Sequence, residues 1–362
     1  MTPETPLFSV VIPAYNAERF IRLTLQSVFV QTLQDFEIVV VNDGSTDRTL
    51  EVLQGITDPR LRVITQQNGG ECVARNRGIQ EAKGEYIALL DSDDCWLPNH
   101  LELVLSCIRQ HPDISWYVTR PNKVADIAET DLKPAPADNA HTITNWFTEV
   151  SGLPVASSSV LKREFLASIP DLFPPGIRMY GDNIGWDRLA MRNARVCLLD
   201  VSTALYRFWE GNACNQYNGI THGLRTEAVK AAFAEYVKLW HAPQTTPEAR
   251  LYYRQFLLGN WWVAISSALL PEAWHKDWGD WQDIVGTGNT RWMKLWSKVV
   301  NGIMHLMRWG IRRRKLAILR KMKKLADKGR VRVENNLPPS STGANAPAEG
   351  SIAQDCRMQY DR

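Results

Sequence analysis

Three carboxylates fall within four residues at Asp91-Ser92-Asp93-Asp94, directly after the apolar run EYIALL. Like charges packed this closely repel unless something cationic lies between them. Carboxylate oxygens suit hard divalent cations, Mg²⁺ or Mn²⁺, and such cations bridge phosphates. Two further polar, turn-forming clusters also follow apolar runs: Pro13-Ala14-Tyr15-Asn16 after FSVVI, and Asn42-Asp43-Gly44-Ser45 after FEIVVV. Ligands of an open parallel sheet bind outside the carboxyl ends of its strands. Alone, an Asp-x-Asp reads as a solvated turn that caps the next helix. With a strand before it and two partner clusters, it reads as part of one ligand edge.

The elements that must position these clusters alternate along the first 110 residues. Phe8–Ile12, Phe36–Val41, Leu61–Thr65 and Glu85–Leu90 are apolar runs of strand length bounded by turn residues. Between them Ile21, Leu25 and Val28 share a helix face, with Asn16 as its expected cap. A second helix follows Asn68-Gly69-Gly70 and carries Val73 and Ile79. Leu101, Val104, Leu105 and Ile108 line a third helix after Pro98. This alternation implies a mostly parallel sheet with helices on both faces. Residues 121–141 read as a polar loop, 143–210 as mixed structure, 223–330 as mainly helical, and the chain from Pro338 as a Ser/Pro/Ala/Gly-rich tail.

The segments FSVVIPAYNAERFIRLTLQSVFVQ, FEIVVVNDGSTDRT and NGGECVARNRGIQEAKGEYIALLDSDD resemble family 2 glycosyltransferases of the GT-A fold. The likeness is strong over 7–111, weaker over 150–210, and absent over 223–362. It implies transfer of a sugar, usually with inversion, from a nucleoside-diphosphate sugar such as a UDP-sugar, aided by Mg²⁺ or Mn²⁺. Carried over by motif, Pro13 and Tyr15 would line the base pocket and Asp43 would hydrogen-bond the base. Arg75 would face base or phosphate, with a surface salt bridge to Glu71 as its alternative role. Asp91, with Ser92 beside it, would lie near ribose and metal, and Asp93 would ligate the metal. The family usually places an acidic pair at a helix start as general base. Here the segment reads Tyr180-Gly181-Asp182-Asn183-Ile184-Gly185-Trp186-Asp187, so Asn183 replaces the second acid. Asp182 is the first candidate base and Asp187 the second. Where relatives often show Tyr-Arg-x-His, this chain has Tyr206-Arg207-Phe208-Trp209, and a tryptophan cannot ligate a metal.

Composition fits this reading. With 44% hydrophobic residues the 362-residue chain can bury a sizeable core. Six cysteines without a CxxC pair argue against a disulfide framework or structural zinc, and fit a reducing cytosol. The histidines sit in no nucleophile motif, and no basic-then-apolar leader opens the sequence. The longest uncharged run, Gln255 to Pro271, is short for a membrane span and reads as a buried helix. The net charge of +3 conceals an asymmetry. Residues 291–330 carry fourteen Lys/Arg against Asp327 alone, which leaves the rest of the chain at −10. In 291–312 a cationic stripe opposes Trp292, Trp296, Val299, Ile303 and Leu306, the pattern of a helix lying on an anionic bilayer. Charge alone would also admit nucleic acid, but no recognised binding module accompanies it.

The sequence thus predicts a GT-A-like catalytic domain over 1–222, a helical region with a basic amphipathic end over 223–330, and a disordered tail over 331–362. Its expected partners are a nucleotide-sugar donor, a saccharide or lipid-linked acceptor, and an anionic membrane surface, with the protein cytoplasmic or peripheral on the inner face. The competing reading is a non-catalytic nucleotide-sugar-binding or scaffold protein, and turnover of a donor separates the two.

Overall fold

The structure is a computed structural model. It describes residues 5–136, 141–147, 155–177, 180–209 and short runs within 231–253. All lie in the first of the chain's two units, Met1–Ser297. The segments expected to be helical over 255–271 and 291–330, and the tail, lie outside the described residues.

Strands β1 (Phe8–Ala14) and β2 (Phe36–Asn42) are buried along nearly their whole length, as continuous apolar runs in a two-faced sheet must be. Between them runs α1 (Ile21–Phe29), and α2 (Thr49–Gln54) leads on to β3 (Leu61–Thr65). Then come α3 (Glu71–Glu81), β4 (Tyr86–Leu89), the two-residue β5 (Cys95–Trp96) and α4 (His100–Gln110). The order β3-β2-β1-β4 is parallel throughout, with Ala14 opposite Asn42 and Val11 opposite Leu89. This register brings the turns after β1, β2 and β4 to one edge.

Alternate residues feed opposite layers. Val10, Ile12 and Ala88 pack with the faces of α1 and α4, while Val11, Ile87 and Leu89 face Trp116 and Trp186. Helix α3 lies so close to β1 that a Cβ on Gly78 would come within 2.3 Å of Val11 Cγ1.

Beyond β4 the sheet becomes mixed. Strand β6 (Trp116–Val124) reaches into the stretch expected to be loop, and β7 (His141–Asn145) follows it. Next come β8 (Ser159–Lys162), the short α5 (Arg163–Leu166), α6 (Gly181–Arg192) and β9 (Arg195–Arg207). Strand β8 runs antiparallel to β4 and β6, β9 parallel to β6, and β5 and β7 antiparallel to β9.

The expected Asn16 cap is not formed. Helix α1 starts five residues later, at Ile21. Asn16 takes a left-handed φ of 50°, and its Oδ1 accepts the Thr46 N–H at 2.8 Å.

Candidate active site

The turns after β1 and β2 are laced together. The Asn16 N–H donates to Ser45 Oγ at 3.0 Å, the Ala17 N–H to Thr49 Oγ1 at 2.7 Å and the Glu18 N–H to Asp47 Oδ2 at 3.1 Å. Pro13 is buried inside β1, whereas Tyr15 stands 51% exposed on the laced rim, free to offer its ring to a flat ligand.

Asp43 is 2% exposed. Its Oδ1 accepts from Gln66 Nε2 at 2.7 Å and the Gly69 N–H at 2.9 Å, and its Oδ2 accepts from the Gly70 N–H at 2.8 Å. The carboxylate therefore fixes the loop that feeds α3. Three of its roughly four lone-pair positions are used inside the chain, which leaves about one for a ligand donor.

The charge problem of the 91–94 cluster is partly solved by the protein itself. Asp94 turns inward and is fully buried. Its Oδ1 accepts the Arg207 N–H at 2.9 Å and its Oδ2 accepts the Ser157 hydroxyl at 2.5 Å. Burial, with Asp93 and Asp91 nearby, pushes its carboxyl well above the usual range. Ser157 Oγ also accepts the Asp91 N–H at 3.0 Å, so one buried hydroxyl sets both ends of the turn. Asp91 and Asp93 remain as the pair available to a ligand.

Arg75 answers Asp91. It is 1% exposed, donates Nη2 to Asp91 Oδ1 at 2.7 Å, and also pairs with Glu71 one turn earlier on α3. Its guanidinium lies 4.8 Å from the Phe173 ring centroid. The expected Glu71 pair exists with Arg75 buried rather than at the surface, and the same guanidinium reaches Asp91. Burial lifts the Asp91 carboxyl to about 7; Arg75 opposes the rise, while Glu71 and Asp93 add to it. Burial also raises Asp93, against a hydrogen bond from Trp209.

Helix α6 separates the two candidate bases. A Cβ on Gly181 would lie 2.4 Å from Cys72 Sγ, so the start of α6 is pressed onto the start of α3. Asp182, in that first turn, feels both Glu71 and Arg75, and burial raises its carboxyl above the ordinary range. Asp187, one and a half turns on, is 0% exposed and accepts Trp146 Nε1 at 2.7 Å. Its surroundings include the stacked rings of Trp116 and Trp186, 5.4 Å apart. Burial pushes it up to about 8, against hydrogen bonds from Trp146 and Tyr236. Asp182 belongs to the acidic cluster and Asp187 to the aromatic core.

The geometry adds residues that local sequence reading passes over. Ser157 and Glu71 carry no motif of their own. Trp209 stood out only as a departure from a pattern that Arg207 keeps, yet Trp209 donates Nε1–H to Asp93 Oδ2 at 2.9 Å. The donor set fits Mg²⁺ or Mn²⁺. Arg75 donates to Oδ1 of Asp91, and Trp209 donates to Oδ2 of Asp93. Mg²⁺ typically takes one or two carboxylates plus substrate phosphates rather than an all-protein cage. In keeping with this, no group of three or more His, Cys, Asp or Glu among the described residues could hold a metal ion. Among the described residues Cys72, Cys95, Cys107 and Cys197 are buried and free.

Residues 9–169 match the family described as Glycosyl transferase family 2. Over that segment the chain is similar to family 2 glycosyltransferases, and its fold is GT-A-like. It is 45% identical over 102 residues to chondroitin synthase of Pasteurella multocida (strain Pm70), covering 28% of this chain and 11% of that protein. It is 43% identical over 105 residues to the putative teichuronic acid biosynthesis glycosyltransferase TuaG of Bacillus subtilis (strain 168), covering 28% and 42%. The chain thus spans less than half the length of these relatives. The fold resembles S. aureus TarS 1-349 solved with UDP-GlcNAc, at a TM-score of 0.58 and 20% identity over 77% of this chain and 79% of that one. Among the described residues no helix is long and apolar enough to cross a membrane.

Proposed function

We propose that this domain transfers a hexose-type sugar from a nucleoside-diphosphate sugar, a UDP-sugar first, to a saccharide, lipid-linked or other cell-envelope acceptor. The observation that carries the reading is that Asp91 at a strand end and Asp182 at the start of α6 both meet Arg75, with Asp93 beside Asp91. TuaG, a relative, is named for teichuronic acid biosynthesis, and TarS was solved with UDP-GlcNAc; both motivate the order of donors and acceptors to test.

Asp182 takes the proton of the acceptor hydroxyl, as a general base must in an inverting transfer. The acceptor oxygen then bonds to the anomeric carbon while the bond to the diphosphate oxygen breaks. A carboxyl raised by burial suits this role better than a fully solvated one, because a base works best with its pKa near the operating pH. Arg75 stands where it can meet negative charge on the departing diphosphate. Asp91 and Asp93 would hold Mg²⁺ or Mn²⁺, which supplies positive charge to the same leaving group. Tyr15 and Asp43, with Pro13 and Ser92 behind them, form the base and ribose side.

In this reading residues 1–222 are catalytic, and 291–330 hold the enzyme to the inner face of an anionic membrane. The decisive experiment screens nucleotide sugars with purified protein, Mn²⁺ and membrane extract, measuring product mass and anomeric configuration. Failure to turn over any donor would sink the transferase reading, and a retained configuration would remove Asp182 as base. Truncation after Thr290 should release the protein from anionic liposomes while activity on a soluble acceptor survives. Binding should weaken with salt without vanishing, since Trp292, Trp296, Ile303 and Leu306 add apolar burial that salt does not screen.

A further inference from the structure

The acidic edge is closed on one side by the chain leaving β9. Trp209 donates its indole N–H to Asp93 Oδ2 at 2.9 Å. Its ring meets Phe20 edge-on with centroids 4.8 Å apart, and the Arg19 guanidinium lies 5.4 Å from the ring centroid. Two residues earlier, Arg207 is 3% exposed and donates Nε to the Asp93 carbonyl at 2.9 Å and its N–H to Asp94 Oδ1 at 2.9 Å. Three hydrogen bonds from two residues, Arg207 and Trp209, therefore grip Asp93-Asp94. Of these three, the indole is the one that meets the Asp93 carboxylate.

The two exposed-edge carboxylates are treated differently. Asp91 is held by a cation, Arg75, which cancels part of its charge. Asp93 is held by a neutral donor that has no lone pair to offer a metal. Such a partner orients the carboxylate while cancelling less of its charge than a cationic partner would, and it does not compete for the cation. Packing against Phe20 and Arg19 limits the directions in which the N–H can point.

We propose that Trp209 is a positioning residue of the donor site: its indole pins Oδ2 of Asp93 so that Oδ1 is presented to a divalent cation. The inference rests on the reading of Asp93 as a metal ligand. Outer partners of this kind typically contribute 10–100-fold to metal affinity.

The test titrates Mn²⁺ into the full-length protein with UDP present and follows free Mn²⁺ by electron paramagnetic resonance. UDP binding in EDTA and the melting temperature are measured alongside. Trp209→Phe keeps a ring against Phe20 and removes the donor. It should weaken Mn²⁺ binding about 10-fold and leave UDP binding in EDTA unchanged. Trp209→His restores a ring N–H and should return Mn²⁺ affinity to at least the wild-type level. A folded Trp209→Phe protein that binds Mn²⁺ as tightly as wild type, while Asp93→Asn does not, overturns the proposal alone. If Trp209→Phe fails to fold, a folded Trp209→His protein with weakened Mn²⁺ binding overturns it. A wild-type protein that binds no Mn²⁺ with UDP overturns the metal reading and this proposal with it.

Discussion

The two halves of the sheet reach the active edge by different means. In residues 8–110 the site is set by backbone register: parallel β1, β2 and β4 end together, so their turns converge without help from any one side chain. In residues 116–209 the strand order is mixed, and the contributions arrive by side-chain reach across the sheet. Ser157 reaches Asp91 and Asp94, Arg207 and Trp209 reach Asp93 and Asp94, and Asp182 comes to Arg75 because α6 rests on α3. The difference teaches where damage should show. Faults in the first half should cost stability or donor binding. Faults in the second half should cost geometry and turnover while the fold survives.

The largest expected effect lies at the seam. Arg75 is a buried cation serving Asp91 and Glu71. Arg75→Ala leaves Asp91 without its counter-charge, and breaking such a buried pair costs about 3–5 kcal/mol. Arg48 pairs with Glu18 at 3.3 Å but is 75% exposed, so Arg48→Ala should cost about 1 kcal/mol or less. Urea denaturation of both variants checks the contrast, and equal losses would break it.

Next in size is the base. Asp182→Asn should lower transfer about 10²-fold or more, the usual scale of general-base loss, with donor affinity kept. Asp187→Asn should leave most of the turnover. Steady-state kinetics with both variants sharpens the comparison, and an inactive Asp187→Asn beside an active Asp182→Asn would reverse the assignment.

Asp187 instead predicts a pH effect on stability. Burial lifts its carboxyl from 3.8 to about 8 in the folded protein. Between those values the folded state keeps a proton that the unfolded chain has released. Stability contributed by this group therefore falls as pH rises from about 4 to about 8. Asp187→Asn removes the titration, so its denaturation midpoint should change less over that range than wild type. Identical profiles would mean that the aromatic core does not hold the carboxyl neutral.

Much of the first half was legible in the sequence because its signals are local. FSVVI, FEIVVV and LRVIT become strands, and the apolar faces at Ile21, Leu25, Val28 and at Leu101, Val104, Leu105, Ile108 are buried as their spacing implies. What escaped depends on partners far along the chain. Asn16 spends its side chain on Thr46, thirty residues away, instead of capping α1. Asp94 looks like a third ligand until Ser157, 63 residues on, and Arg207, 113 residues on, turn it inward. In sequence Asp182 and Asp187 are only a first and a second candidate; the packing of α6 puts one beside Glu71 and Arg75 and the other among tryptophans. The indole of Trp209 was visible as a residue type, but its hydrogen bond to Asp93, 116 residues back, was not.

The smallest expected effect tests the contact that brings Asp182 to the first half. The start of α6 can approach α3 because Gly181 has no side chain; a Cβ there would sit 2.4 Å from Cys72 Sγ, well inside van der Waals contact. Cys72 is itself buried, so the sulfur has little room to retreat. Gly181→Ala should therefore push the first turn of α6 away from α3 by tenths of an ångström, at the cost of about 1–3 kcal/mol typical of overpacking. Asp182 moves with that turn, so kcat should fall several-fold while the donor KM holds, since Asp91, Asp93 and Asp43 stay on the first half. Cys72→Ala deletes the sulfur that the new methyl would strike. In the double variant the helix can settle back, so stability and kcat should both recover part of the loss, giving a favourable coupling in a double-mutant cycle. Additive losses would mean that the 181–72 contact does not set the position of Asp182, and that the second half reaches the site through some other support.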